Sequence, residues 1–409
     1  MMNFLGLLKN AVQTGINTLS GRVTDFLVRP RRAAFPLADR LLADAFRLGQ
    51  LPSPTEREEA RSSFVAERLE ALNLPYTVDA KGSILASLYC LRGGDEEPGD
   101  ISSEPLLVFS PLVSGRWNPL ESLGKLELQY ARGAGLADAL GPAALLSLAE
   151  AHAEGRLALE RDLFLFFSAL HFDDPVSDAF LPFTSDDRYR PAAAIGVRGF
   201  MLGSFARRPP GSFRVELTVT EEEGRVRANS VVGALTDTAR HFQKAAESFG
   251  GDLHMYITRI EARSSYSLTP QEGVLELELQ SPEAEVLESA LESIKAVAET
   301  TAYENVRPSF RVLSSIPPGD PSVSGEIAGT LLELMKELRI KSEEEAQPDP
   351  ASFFSVQGIP AVSVGIASGR EGLHHDKVEI ASIEKGRQLL ERLVLRTGGN
   401  REREEDHGR

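Results

Sequence analysis

Residues 133–148 read GAGLADALGPAALLSL. Three glycines, Gly133, Gly135 and Gly141, surround one acidic residue, Asp138, and an apolar run at helical spacing follows. Glycine lets a backbone turn sharply and approach a neighbour closely, so the stretch predicts a tight turn opening a helix over 139–153. Upstream, LLVFS at 106–110 is a short, continuous apolar run, the pattern of a strand buried on both faces. Strand, long loop, glycine turn, lone carboxylate and helix is the layout by which helix-covered sheets place ligands at strand ends. Asp138 then has two readings, a metal ligand or the N-cap of the helix at 139. The strand itself runs into PLVSG at 111–115, which offers no metal donor.

Working outward, PLADRLLADAFRLGQ (36–50) has helical spacing, and Thr55 with Glu58 forms a capping-box pattern before a second helix. YTVDAKGSILASLYC (76–90) alternates as a strand pair about a turn at Lys81-Gly82. Further strands are expected at 162–169 and 192–197. This alternation of strands and helices predicts an α/β fold: a mainly parallel, helix-covered sheet. The pattern changes at RRPPGSF (207–213). FRVELTVT, a helix from Asn229, DLHMYITRIEA, GVLELELQ and a helix from Pro282 then read as βαββα, a small α+β domain inserted at 209–311. The chain resumes with a helix at 321–339, the strand IPAVSVGIA (359–367) and a helix at 383–395. The divided larger domain thus spans 35–208 and 312–397, with a helical segment at 1–34 before it and a charged tail at 398–409 after it.

The chain has 409 residues, of which 42% are hydrophobic and 25% charged, as in soluble globular proteins. A net charge of −16 excludes non-specific nucleic-acid binding, which needs clustered Lys and Arg. Peptides, small molecules and proteins remain as partners. Cys90 is the single cysteine, which excludes an intrachain disulfide and a thiolate cluster. The first 23 residues are too polar to span a membrane and lack a signal-peptide cleavage site, so a cytoplasmic location is expected.

Two further stretches carry possible donors. GLHHDKVEIASIEKG (372–386) puts His374 and His375 between a strand and a helix. FFSALHFDDP (166–175) places His171, Asp173 and Asp174 after an apolar strand, where an exposed acidic loop is the plain alternative.

Taken together, these segments resemble the zinc-dependent peptidase T / aminoacylase / carboxypeptidase G family. The Pro-Ser-Pro-Thr turn and helix at 52–72, the glycine-spaced segment around Asp138 and the PDPASFFSVQGIPAVSVGIASGREGLHHDKVEI run at 348–380 are similar to its motifs, in order. The resemblance covers about residues 35–397 and implies a zinc-exopeptidase-like fold in which the inserted domain is a lid that also forms a homodimer. It also implies that Asp138 matches the carboxylate bridging two zinc ions and that His375, or its neighbour His374, matches a zinc ligand. Other positions depart from the family. Its "H-x-D" falls on Ser110 and Leu112. Its "E-E" pair, source of the general base, falls on Leu170-His171 or His171-Phe172. Its next Asp falls at Val197 or Arg198, and the lid's histidine is missing before Asn229. A hydroxyl, an isobutyl group and a guanidinium cannot replace imidazole and carboxylate around zinc.

Two readings follow. The first is a non-catalytic relative, a peptidase scaffold retained for binding or assembly, with no metal. The second is a zinc-dependent hydrolase of a peptide or N-acyl amide bond. Its mononuclear site would hold one Zn on Asp138, His171 and His375, with Asp173 or Asp174 as base. A metal-free hydrolase built on Ser110 is a third, against the plain reading that Ser110 ends a strand and bonds to backbone.

Overall fold

The computed structural model describes residues 34–53, 58–90, 104–114, 124–169, 176–206, 208–221, 230–264, 268–300, 306–372 and 375–399. Helices α1 (Leu37–Gln50) and α2 (Glu59–Ala71) lead into strands β1 (Tyr76–Val78) and β2 (Ile84–Leu88). Next come β3 (Leu106–Pro111), β4 (Lys125–Leu126), β5 (Tyr130–Gly133) and helix α3 (Leu136–Ala153). Strand β6 (Leu163–Ser168), helix α4 (Val176–Ser185), β7 (Ala193–Arg198) and β8 (Ser204–Phe205) complete the first half.

The inserted unit contains β9 (Gly211–Glu221), α5 (Ser230–Glu247), β10 (His254–Ala262), β11 (Glu272–Ser281), α6 (Ala284–Thr300) and β12 (Val306–Ile316). The chain ends with α7 (Pro321–Glu337), β13 (Glu343–Glu344), α8 (Ser352–Ser355), β14 (Ala361–Gly365), β15 (Gly369–Arg370), β16 (Asp376–Glu379) and α9 (Ile380–Gly398).

The central sheet has the order β1-β2-β6-β3-β7-β14. Strands β6, β3, β7 and β14 are mutually parallel and the β1-β2 hairpin adds antiparallel at one edge. This is the expected mainly parallel, helix-covered sheet. LLVFS forms β3 at its middle, and both faces of that strand are buried. Leu106 and Val108 enter the core shared with α1, α3, α7 and α9. Leu107 and Phe109 enter an aromatic layer on the opposite face, where Phe109 and Phe180 meet edge-on with centroids 4.9 Å apart. Full burial of such side chains stabilises the fold by about 1.5–3 kcal/mol each.

The inserted unit is a separate four-stranded antiparallel sheet, β10-β11-β9-β12, with its own core. Val215, Leu217 and Val219 of β9 face that core, as do Leu275, Leu277 and Leu279 of β11. The alternate residues build charged cross-strand pairs on the open face, Arg259 with Glu276 at 2.9 Å and Arg311 with Glu216 at 3.1 Å. Strand β12 is an element the βαββα pattern lacks: it pairs along β9, so the sheet runs from Gly211 to Ile316. VRPSFRVLSSI alternates poorly, which hides it as an edge strand. A second small sheet, β15-β16-β5-β4, holds the segment around His375 beside the glycine turn before α3.

Two helix boundaries move outward: α3 begins at Leu136 and α9 spans Ile380–Gly398. Residues 1–33, the Thr55 position of the capping box, and 400–409 lie outside the described residues. Among the described residues, no helix is long and apolar enough to cross a membrane.

Candidate functional site

The N-terminus of α3 meets the ends of β3 and β7 and the small sheet. Gly135 has φ 64, a left-handed backbone open mainly to glycine, and it starts the helix. Asp138 therefore lies within the first turn, and the N-cap reading of it is not realised. The cap comes from a distance: Asp376, 2% exposed, accepts the backbone N–H of Ala137 at 3.0 Å on one oxygen. Its other oxygen accepts a long contact from the N–H of Gly372 at 3.4 Å. A carboxylate there satisfies an otherwise unpaired helix donor and sits well in the helix dipole. Asp376 was not a sequence candidate. Its only signal is its place between the histidine doublet and a strand of alternating residues.

Gly141 allows a close approach. A Cβ there would lie 2.3 Å from Ser110 Oγ and 2.8 Å from the Val197 carbonyl, so α3 rests directly on the ends of β3 and β7. Ser110 is 1% exposed and donates to that carbonyl at 3.0 Å, the plain structural role. Leu112 is fully buried in the core. Ser114, two residues on, donates to Asp138 Oδ2 at 2.8 Å.

Behind this pair stands Arg61 of α2, with no exposed surface. Its Nε donates to the Leu48 carbonyl at 3.0 Å and its Nη1 to the Leu112 carbonyl at 2.9 Å. The buried Nη2 has no hydrogen-bond partner. Nη2 and Ser114 Oγ both border the space above Gly135, 3.6 and 3.2 Å from where its Cβ would be. Burial pushes the Asp138 carboxyl above its usual range. The Ser114 hydroxyl and the Arg61 charge pull it back, while Asp376 and Glu371 push it further up. Burial lowers Arg61 to about 10, opposed by Asp138, which leaves it charged at neutral pH.

Arg198, at the end of β7, donates to the Pro348 carbonyl at 3.1 Å and lies 3.4 Å from Asp349 Oδ2. Asp349 also accepts from Ser363 Oγ at 2.6 Å and from the Ala351 N–H at 2.9 Å. A small crevice opens beside this group, bordered by Arg198, Phe205, Glu345 and Ser363.

Of the candidate donors, Asp138 and His375 lie within the described residues, and His375 is exposed. His171, Asp173, Asp174 and His374 lie outside them, as does Leu170. Among the described residues, no three of His, Cys, Asp and Glu come together as a metal cluster. The strand ends offer a hydroxyl bonded to backbone, a core leucine and a paired guanidinium. That set does not fit a two-zinc centre, which needs nitrogen and anionic oxygen donors. Ser114, Arg61 and Asp376 are the residues that sequence reasoning missed here, because each reaches the site from another element.

The chain matches no protein-family model and no curated protein. Its fold is shared with solved hydrolase structures at low identity. An amidase of the hydantoinase/carbamoylase family from Burkholderia vietnamiensis has a TM-score of 0.64 at 13% identity, covering 89% of this chain and 98% of that one. A Staphylococcus aureus tripeptidase has 0.61 at 14%, covering 88% and 98%. A Bacillus subtilis protein, described as a dinuclear metal-binding peptidase of the M20 family, has 0.55 at 15%, covering 88% and 99%.

Proposed function

We propose that this chain is a non-catalytic relative of the metal-dependent peptidases and amidohydrolases, a scaffold retained for binding or assembly. The observation that carries the reading is the set of partners taken by the strand-end residues. Ser110 is bonded to the Val197 carbonyl, Asp138 to Ser114, and Arg198 is paired with Asp349. Polar groups that would face a metal and a water in a hydrolytic centre are satisfied within the protein instead. The location is the cytoplasm, and the ligand is a peptide or small molecule taken in the cleft under the inserted unit. That unit also pairs two copies into a homodimer, as the family resemblance implies.

The test is the metal content of protein purified without chelator and dialysed against trace zinc, measured by elemental analysis beside hydrolysis of dipeptides and N-acyl amino acids. The expected result is a zinc ratio near zero and no turnover. A ratio near one zinc per chain, lost together with turnover in His375→Ala and weakened in His171→Ala, overturns the reading. It would establish the mononuclear hydrolase built on Asp138, His171 and His375.

A further inference from the structure

Arg61 is the least ordinary residue at this site. A fully buried guanidinium normally meets a carboxylate in fork geometry. Here two of its nitrogens meet carbonyl oxygens, and the third, Nη2, is buried without a hydrogen-bond partner. Carbonyls satisfy N–H groups but do not cancel a full charge, and an uncompensated charge in the interior is costly. One carbonyl, that of Leu48, belongs to the last turn of α1, where the helix dipole is negative. The remaining compensation comes from the other side of Gly135. Ser114 Oγ borders the same space as Nη2 and is hydrogen-bonded to Asp138. Asp138 in turn feels the negative charges of Asp376 and Glu371. One fixed cation therefore faces a group of carboxylates across a left-handed glycine.

We propose that the Arg61 guanidinium is a built-in cation that balances Asp138 and its acidic neighbours and thereby closes this position to divalent metal ions. The inference rests on the reading of the chain as lacking the two-zinc centre, and it adds the reason. A guanidinium supplies positive charge but only donor hydrogens, with no open coordination position, so it holds a carboxylate without activating water. The swap is also geometrically fixed, since Nε and Nη1 tie α2 to the end of α1 and to the segment after β3.

The experiment is a double-mutant cycle on the full chain, Arg61→Met and Asp138→Asn singly and together. Thermal midpoints are read with EDTA and with 1 mM zinc, about the concentration at which a weak site fills. Arg61→Met is expected to lower the midpoint, and Asp138→Asn to recover part of the loss in that background while doing less in the unaltered chain. Zinc should raise the midpoint of Arg61→Met only while Asp138 is present, and leave the unaltered chain unmoved. Additive midpoints, or a zinc response of the unaltered chain that Asp138→Asn removes, overturn the proposal. Should Arg61→Met fail to fold, Arg61→Lys keeps the charge while losing the fork. It is expected to stay silent to zinc, and an Asp138-dependent zinc response in it overturns the proposal equally. The two readings fail separately. Zinc held through His375 with turnover sinks the non-catalytic reading, whereas additive midpoints in a zinc-free chain sink only the role of Arg61.

Discussion

The two ends of α3 each face arginines from the helices before it, and they are built on opposite terms. At the C-terminal end, Arg40 of α1 and Arg68 of α2 share Glu150, and Arg40 also takes Glu154 in a two-pronged pair, with Nη2 to Oε2 at 2.9 Å. Asp44 adds a contact to Arg68 at 3.4 Å. Charge is matched by charge through direct contact. At the N-terminal end, Arg61 meets carbonyl oxygens, and the carboxylate whose charge opposes its own, Asp138, is bonded to a serine instead. The C-terminal end is a clamp in which direct ion pairs hold three helices together. The N-terminal end, with a guanidinium on carbonyl oxygens, a raised carboxyl and a remote cap, has the marks of a site. The difference teaches that burial alone does not separate structural from functional arginines, whereas direct contact with a carboxylate does.

The comparison can be broken or sharpened by substitution. The largest effect should come from the clamp. Glu150→Ala leaves the buried Arg40 and the half-buried Arg68 short of a shared carboxylate and should cost about 3–5 kcal/mol, read as a fall in urea midpoint at constant slope. A cost below that of Asp376→Ala would erase the distinction between the ends. Gly141→Ala should follow, at about 1–3 kcal/mol, because its Cβ meets Ser110 Oγ and a backbone carbonyl. Adding Ser110→Ala should return part of that loss, since the carbonyl contact remains.

Asp376→Ala removes the remote cap of α3 and should cost about 0.5–2 kcal/mol. Amide exchange should accelerate first at Ala137, the residue whose N–H it accepts.

The smallest effect belongs to His152, in the last turn of α3. Burial lowers its pKa, partly offset by the hydrogen bond to the Leu157 backbone, and its Nδ1 has no hydrogen-bond partner. A base held below its unfolded value binds its proton in the unfolded chain first. Stability should therefore be full above the unfolded value of about 6.5 and decline as pH falls from there toward the lower folded value. His152→Gln should flatten that stretch of the stability–pH curve and leave the region above it unchanged.

How much of this was legible beforehand differs between fold and site. LLVFS became the central strand because an apolar run of that length can only be buried on both faces. FRVELTVT and GVLELELQ became two-faced strands because every second residue is apolar. Asp79 and Gly82 closed the expected β1-β2 hairpin, the Asp79 carboxylate accepting the N–H groups of Lys81 and Ser83. Strand β12 escaped notice because an edge strand need not alternate. At the site, the glycine turn and the lone Asp138 could be read, as could the absence of donors at Ser110, Leu112 and Arg198. The partners could not. Ser114 lies 24 residues from Asp138, and Asp376 caps a helix 239 residues away.

The sequence by itself determined most of the longer elements, the mainly parallel α/β sheet with its inserted unit, and the absence of metal donors at the end of β3. These rest on periodicity and side-chain chemistry, which act over a few neighbouring residues. Only the tertiary structure decided that Asp138 sits inside the first turn of α3 instead of capping it, that Ser114 binds it, that Asp376 supplies the cap, and that Arg61 stands charged behind them. Those outcomes depend on distances of a few ångströms between segments far apart in the chain. Local patterns carry no record of such distances, because they are set by how whole helices and strands pack.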